Sequence, residues 1–80
     1  MSTEAELRQE LRRRAEAFVA RTDRSTTSLT RMEMIIAVGL DGPEEFDDLS
    51  YALAMYNPGE PGYYDDAMLT AELKHALQLG

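Results

Sequence analysis

The fold is decided by one apolar stretch near the middle of the chain, Thr30-Arg31-Met32-Glu33-Met34-Ile35-Ile36-Ala37-Val38-Gly39-Leu40. It opens with the spacing of a capping box, and Leu29 and Met34 have the spacing of a hydrophobic staple. Because it is apolar on nearly every side, we expect a central helix over about 30–39, closed by Gly39 in the left-handed conformation. Periodicity does not separate residues 34–38 from a buried strand, but the capping signals and the lack of a partner strand favour the helix.

One helix is predicted before this stretch. Thr3-Glu4-Ala5-Glu6 is another capping box, and apolar residues then recur every three or four positions, which predicts a helix over about 3–21. Residues 22–28 are polar and aperiodic, so we expect a loop there.

Two more helices are predicted after it. Pro43 and the acids that follow it open a helix over about 43–56. Two prolines and two glycines within residues 57–62 end that helix, and a last one is expected over about 63–79, ending against Gly80. The sequence therefore predicts an all-α fold, a compact bundle of four short helices in one domain spanning 1–80.

The apolar residues at helical spacing are the predicted core. They are Leu7, Leu11, Ala15, Phe18, Val19, Met32, Ile35, Ile36, Leu40, Phe46, Leu49, Ala52, Leu53, Tyr56, Leu69, Leu73, Ala76 and Leu77.

Composition excludes several classes of protein. The chain of 80 residues has no cysteine, which excludes disulfides, thiol catalysis and Cys-ligated zinc. Its longest apolar run is far shorter than the roughly 20 residues of a membrane span, and its first residues lack the apolar segment of a signal peptide, so we expect a cytoplasmic protein with no membrane partner. So short a chain has a small core, and we expect a homodimer or a bound partner to stabilise it.

The sequence offers little for catalysis. His75 is the only histidine, and a solvated or helix-capping role is the simpler interpretation. Asp47, Asp48, Asp65 and Asp66 suggest a paired-carboxylate hydrolase, but adjacent residues of one helix point about 100° apart and a small bundle offers little cleft to raise a pKa. We therefore expect that this protein is not an enzyme, has no catalytic residue, and binds neither a metal nor a cofactor.

Charge is divided unevenly along the chain, whose net charge is −7. Residues 1–31 hold seven arginines and five acids, whereas residues 32–80 hold one lysine and ten acids. Acids open the two last predicted helices, and tyrosines, which are common at interfaces, accompany them. Helix dipoles account for one or two acids at each helix start, but four within five residues exceed that need. The predicted partner-binding residues are Glu44, Glu45, Asp47, Asp48, Tyr63, Tyr64, Asp65 and Asp66.

An arginine cluster in the first helix indicates a different partner. Arg8, Arg12, Arg13 and Arg14 could follow a phosphate backbone. Three of them, however, have a glutamate one helical turn away, so a solvated helix face is the simpler interpretation.

Residues 31–56 resemble a helix-turn-helix: Met34-Ile35-Ile36-Ala37-Val38-Gly39-Leu40 is followed by Asp41-Gly42-Pro43-Glu44-Glu45-Phe46. The resemblance implies a recognition helix, but this helix would carry acids and no basic residue, which opposes DNA binding. In size and charge the chain also resembles phage-encoded inhibitors of host nucleases and polymerases, among them anti-CRISPR proteins.

Three functions follow as hypotheses. The favoured one is a non-enzymatic acidic module that inhibits or regulates a basic, nucleic-acid-handling protein without contacting nucleic acid itself. The alternative is a dimeric nucleic-acid-binding regulator that uses the first-helix arginines. The third is a structural subunit whose first-helix stripe, with Leu11 and Phe18, completes a larger bundle.

Overall fold

The computed structural model describes residues 3–79, and this part of the chain is all-α, as predicted. Its helices are α1 (Glu4–Val19), α2 (Thr26–Met34), α3 (Asp47–Met55) and α4 (Asp66–Leu79). A π-helical segment, Ile35–Gly39, continues α2, and a 3-10 turn, Glu44–Phe46, leads into α3. The predicted end of the last helix against Gly80 lies outside the described residues.

Helix α1 begins and ends with well-defined caps. The Thr3 hydroxyl accepts a hydrogen bond from the Glu6 amide at 3.1 Å, which confirms the predicted N-cap. At the other end the Arg21 amide donates to Phe18 O and the Thr22 amide donates to Ala17 O, the pattern of a Schellman motif. Arg21 has φ 64°, so an arginine occupies the left-handed position that glycine usually takes.

Helix α2 starts earlier than predicted. The Ser25 hydroxyl accepts from the Ser28 amide at 3.2 Å, so Ser25 is the N-cap and the expected loop through Ser28 is wrong at its last three residues. Thr30, the predicted cap, is exposed inside the helix. The earlier start buries Leu29 and turns Ser28 toward the Arg14 guanidinium, so burial overrides the capping-box signal at Thr30.

The π-helical segment keeps the apolar residues of the deciding stretch on the buried side. The Leu40 amide donates to Ile35 O at 2.7 Å, and both residues are buried together with Ile36. The outer side is open: 51% of Met34 and 76% of Val38 are exposed. The expectation of a helix buried nearly all round is therefore wrong, although the expectation of a helix rather than a strand is confirmed.

Gly39 does not close this helix in a left-handed conformation. The chain instead reverses at Asp41 and Gly42, each with φ 59°. Gly39 has a packing role, since a Cβ there would lie 2.8 Å from Leu7 Cδ1. The absence of a side chain lets α1 lie close against the end of the π-helical segment.

One hydrophobic core joins the four helices. Among the predicted core residues, Leu7, Val19, Tyr56 and Leu77 are partly buried at its margin and the rest are buried. Leu11 and Phe18 of α1 are almost fully covered by the other helices. The apolar stripe of α1 is thus used inside the domain, which removes the unpartnered face that the structural-subunit hypothesis requires.

The loop between α3 and α4 folds back on α3. The Tyr64 amide donates to Met55 O at 2.8 Å, and the Asn57 amide donates to Tyr64 O at 2.9 Å. These bonds bring Tyr63 and Tyr64 beside the end of α3 and keep them out of the last helix, so the predicted start of that helix near residue 63 is wrong and α4 begins at Asp66.

Candidate functional site

The acids predicted at the start of α3 are on the surface. Glu44 and Glu45 lie in the 3-10 turn and Asp47 and Asp48 in the first turn of α3, and all four are exposed. Phe46, between them, is buried in the core and fixes the direction of the turn. The unpaired amides at the start of a helix stabilise nearby carboxylates, which favours acids at these positions.

Glu45 differs from the other three because an arginine from α1 reaches it. Arg8 Nη1 lies 2.8 Å from Glu45 Oε1, and the Arg8 side chain also contacts Glu4 at 3.2 Å. The Arg8 guanidinium lies 5.6 Å from the centre of the Phe46 ring. The hydrogen bond to Glu45 is the largest cause of a raised Arg8 pKa. Glu45 therefore has a counter-charge within the fold, and this pair joins residues 37 positions apart.

The two acids at the start of α4 serve the fold. Asp65 Oδ1 accepts from the Met68 amide at 2.9 Å and so caps α4. Asp66 accepts a hydrogen bond from the Tyr56 hydroxyl, and its other oxygen lies 3.5 Å from Arg24 Nη1. Burial, followed by the bond to Asp66, raises the pKa of Tyr56 to about 12. The bond from Tyr56 joins the end of α3 to the start of α4.

Tyrosines connect the two acidic groups. Tyr64 is half-buried, and its ring meets the Tyr51 ring edge to face with 5.9 Å between centroids. Tyr51 is 58% exposed and Tyr63 47% exposed. Tyr51 is not among the predicted partner-binding residues, although its position four residues after Asp47 and outside the apolar stripe of α3 is a signal for an exposed aromatic residue near the acids.

We use the name acidic surface for Glu44, Asp47, Asp48 and Tyr51, which lie in the 3-10 turn and the first residues of α3. Across residues 3–79 the three carboxylates of this surface form no ion pair. The structure thus divides the predicted partner-binding residues: three acids and Tyr63 remain free for a partner, whereas Glu45, Tyr64, Asp65 and Asp66 have contacts within the fold.

The predicted arginine cluster is mostly occupied. Arg12 Nε lies 3.1 Å from Glu16 Oε1, and Arg12 Nη1 donates to Leu77 O at 3.3 Å. Arg14 contacts Glu10 at 2.9 Å, and Arg8 has the two glutamates described above. Arg13 is exposed and, within the described range, forms no ion pair. Three of the four arginines of the cluster therefore have contacts within the fold.

Glu10 is the centre of a three-residue ion-pair network. Arg31 of α2 donates to both Glu10 oxygens, at 2.7 and 3.1 Å, while Arg14 donates from within α1. The hydrogen bonds from Arg31 and then Arg14 lower the pKa of Glu10 to about 2. The sequence predicted the Arg14 pair but not the Arg31 pair, because the latter depends on how α1 and α2 cross.

A half-open groove of about 230 Å³ lies between α1, α3 and α4. Its floor is apolar and includes Leu11, Ala15, Leu49 and Ala76, and its rim carries Arg8 and Arg12. The groove adjoins the acidic surface through α3, which contributes to both. We refer to it as the α1–α3–α4 groove.

The remaining chemistry of the surface is sparse. His75 is exposed on α4. Residues 3–79 contain no group of three side chains that could hold a metal ion. Hydrogen bonds lower the pKa of two carboxyl groups, that of Glu10 through Arg31 and Arg14 and that of Asp23 through Ser25.

No helix in the described part of the chain is both long and apolar enough to cross a bilayer. Comparison of the chain with protein-family models, with curated proteins and with solved structures gave no match.

Proposed function

We propose that this domain is a non-enzymatic binding module whose acidic surface docks on a basic surface of another protein. The observation that carries the proposal is the position of Tyr51, an exposed aromatic ring one turn from Asp47 and Asp48, whose carboxylates have no counter-charge within residues 3–79. A tyrosine contributes contact area and a hydroxyl group for hydrogen bonding. The carboxylates orient a basic partner and increase the rate at which it associates.

The electrostatics favour a strongly basic partner. The chain carries −7 overall, and three arginines of α1 form ion pairs with glutamates, whereas the three carboxylates of the acidic surface form none within residues 3–79. Surfaces that handle nucleic acid are basic and arranged to accept a row of negative groups. Our proposal is therefore an inhibitor or regulator of a nucleic-acid-handling protein, of the kind that phages encode and that includes anti-CRISPR proteins, acting in the cytoplasm.

The proposal assigns different roles to the predicted residues. Glu44, Asp47 and Asp48 would contact basic side chains, with Tyr51 beside them. Asp65 and Asp66 keep their roles in starting α4, since losing the Met68 or Tyr56 contact would disturb the fold before it disturbed binding.

The test is affinity capture with charge-reversed variants. The tagged protein and an Asp47→Lys/Asp48→Lys variant would be incubated with nuclease-treated lysate of the source cell, washed at low and then high salt, and the released proteins identified by mass spectrometry. We expect the wild type to retain a basic protein that high salt releases, and the variant to retain at least tenfold less.

A matched control separates local from overall charge. A Glu33→Lys/Glu72→Lys variant changes the net charge by the same amount on α2 and α4, and it should retain the partner. Circular dichroism checks that all three proteins are folded. Equal losses in both variants, or a partner that stays bound in high salt, would contradict the acidic surface as the contact.

The alternative proposal is a dimeric nucleic-acid-binding regulator, and Arg13 is the observation in its favour. It is the one member of the arginine cluster that is exposed without an ion pair in the described range. This function predicts retention of DNA or RNA at low salt that falls steeply as salt rises. Filter binding at low salt, with an Arg13→Gln variant as the comparison, tests this alternative function. If the wild type retains neither DNA nor RNA, the alternative function is contradicted.

A further inference from the structure

We propose that the α1–α3–α4 groove binds a small aliphatic carboxylate, with its chain on the apolar floor and its carboxylate on Arg12. This site is separate from the acidic surface, and the inference does not depend on the proposed function. It rests on three features of the groove: its size, its apolar floor and the unused donors of an arginine at its rim.

The groove has room for a small molecule only. Its volume is about 230 Å³. Since a cavity of about 150 Å³ takes one benzene, this volume corresponds to roughly ten non-hydrogen atoms. An α-helix of a partner needs a much longer apolar groove, so a ligand about the size of octanoate fits the space better than a macromolecule does.

The floor is built to leave space between helices. Ala15 of α1 and Ala76 of α4 both line the groove, where longer side chains would fill it. Leu11 and Leu49 complete the apolar lining. A hydrocarbon chain lying there removes its own surface and that of the floor from water, which is favourable in proportion to the area covered.

The rim has the charge that a carboxylate requires. The Arg12 guanidinium uses Nε for Glu16 and Nη1 for Leu77 O, and within residues 3–79 its Nη2 donates to no partner. Both side chains of the Arg12–Glu16 pair are about half exposed, and such a pair stabilises a protein only weakly, so a ligand can share or replace it at small cost. A planar guanidinium matches the two oxygens of a carboxylate.

The free donor at the rim also discriminates among ligands of the same size. Arg8, one helical turn before Arg12, lines the same rim, and its guanidinium contacts Glu4 and Glu45. An alkylammonium ion cannot accept the hydrogen bond that Arg12 Nη2 offers, whereas a neutral alcohol gains the apolar contact without a charge-assisted one. The groove is therefore expected to rank octanoate above 1-octanol and 1-octanol above octylammonium.

The test is a titration of the isotope-labelled protein with octanoate, followed by amide chemical shifts in NMR spectra. We expect saturable shifts that cluster at Leu11, Ala15 and Ala76, with a Kd on the order of 1 mM. Arg12→Gln should weaken octanoate binding about tenfold and leave 1-octanol binding unchanged. Arg13→Gln, the same substitution at the next position, should change either Kd less than twofold, because Arg13 does not line the groove.

A second variant tests the floor. Ala76→Leu fills the groove and should abolish binding of both octanoate and 1-octanol; if it fails to fold, the comparison of Arg12→Gln with Arg13→Gln still decides. The proposal is overturned by an absence of saturable shifts, by equal binding of octylammonium, or by equal losses in the Arg12 and Arg13 variants. Shifts at the groove that follow protein concentration instead of octanoate would assign it to a second copy of the chain and also overturn the proposal.

Discussion

Arg21 shows how a single residue can be held in an unfavourable conformation by its neighbours. Its φ of 64° places it in the left-handed region, where a Cβ costs about 1–2 kcal/mol. The two Schellman hydrogen bonds at the end of α1 need that conformation, whatever residue occupies the position. The sequence has no glycine there, so this exact helix end could not be predicted from composition.

Glycine at this position should stabilise the domain relative to alanine. Arg21→Gly and Arg21→Ala both remove the positive charge near the end of α1, but only alanine keeps the Cβ. We expect the free energy of unfolding of Arg21→Gly to exceed that of Arg21→Ala by about 1 kcal/mol, measured by urea denaturation. An equal or lower value for the glycine variant would show that the left-handed turn does not form in solution.

At the residue level the sequence predicted the buried side chains well, because helical spacing records which side of each helix faces the core. It failed where a residue's role depends on another element. From the sequence Gly39 is a candidate helix terminator, but in the structure its lack of a side chain leaves room for Leu7 of α1. Arg8 reads as a partner of Glu4, yet it also forms an ion pair with Glu45.

Among the helices, α1 and α2 are joined by the ion pairs of Glu10. Its carboxylate accepts hydrogen bonds from Arg31 and Arg14, and its pKa is lowered to about 2 from an ordinary value of about 4.5. A lowered pKa means that the folded state holds the ionised form. The resulting stability is present above pH 4.5 and is lost as the pH falls toward 2.

Glu10→Gln should remove this pH dependence. The network is partly open to solvent, so we expect the variant to lose about 1–2 kcal/mol at pH 7 and almost nothing at pH 2, relative to the wild type. Urea midpoints at pH 7, 4 and 2 check this. Glu33→Gln, on α2 and without an ion pair in the described range, is the control and should follow the wild type. A constant difference between Glu10→Gln and the wild type at all three pH values would contradict the lowered pKa.

Helix boundaries were predictable where the local capping signal agreed with burial. Thr3, with Glu6 three residues later, was the predicted cap of α1 and was confirmed. For α2 the capping box at Thr30 was the stronger local signal, yet the helix begins after Ser25, a start that buries Ser28 and Leu29. Ile35 and Leu40 were predicted on one buried stripe, but the π-helical hydrogen bond between them was not, because no local signal marks it.

For the molecule as a whole, the sequence shows where the acidic residues are, but not which of them form ion pairs or cap a helix. Counting charges along the chain placed most of the acids after residue 31, and three of those carboxylates, at the start of α3, form no ion pair with any residue of the range 3–79. Which acids are taken up by Arg8, Arg24 or a helix cap depends on tertiary contacts, as does the exposure of Tyr51 beside Asp47. The α1–α3–α4 groove depends on three helices at once and has no sequence signal.

The central claim is that the acidic surface contacts basic residues of a partner. Carbodiimide crosslinking in nuclease-treated lysate of the source cell tests it most directly, because this reagent joins a carboxylate to a lysine only when the two are in contact. We predict that mass spectrometry will find crosslinks from Glu44, Asp47 and Asp48 to lysines of one partner. Crosslinks confined to acids elsewhere, such as Glu33 and Glu72, would contradict the account.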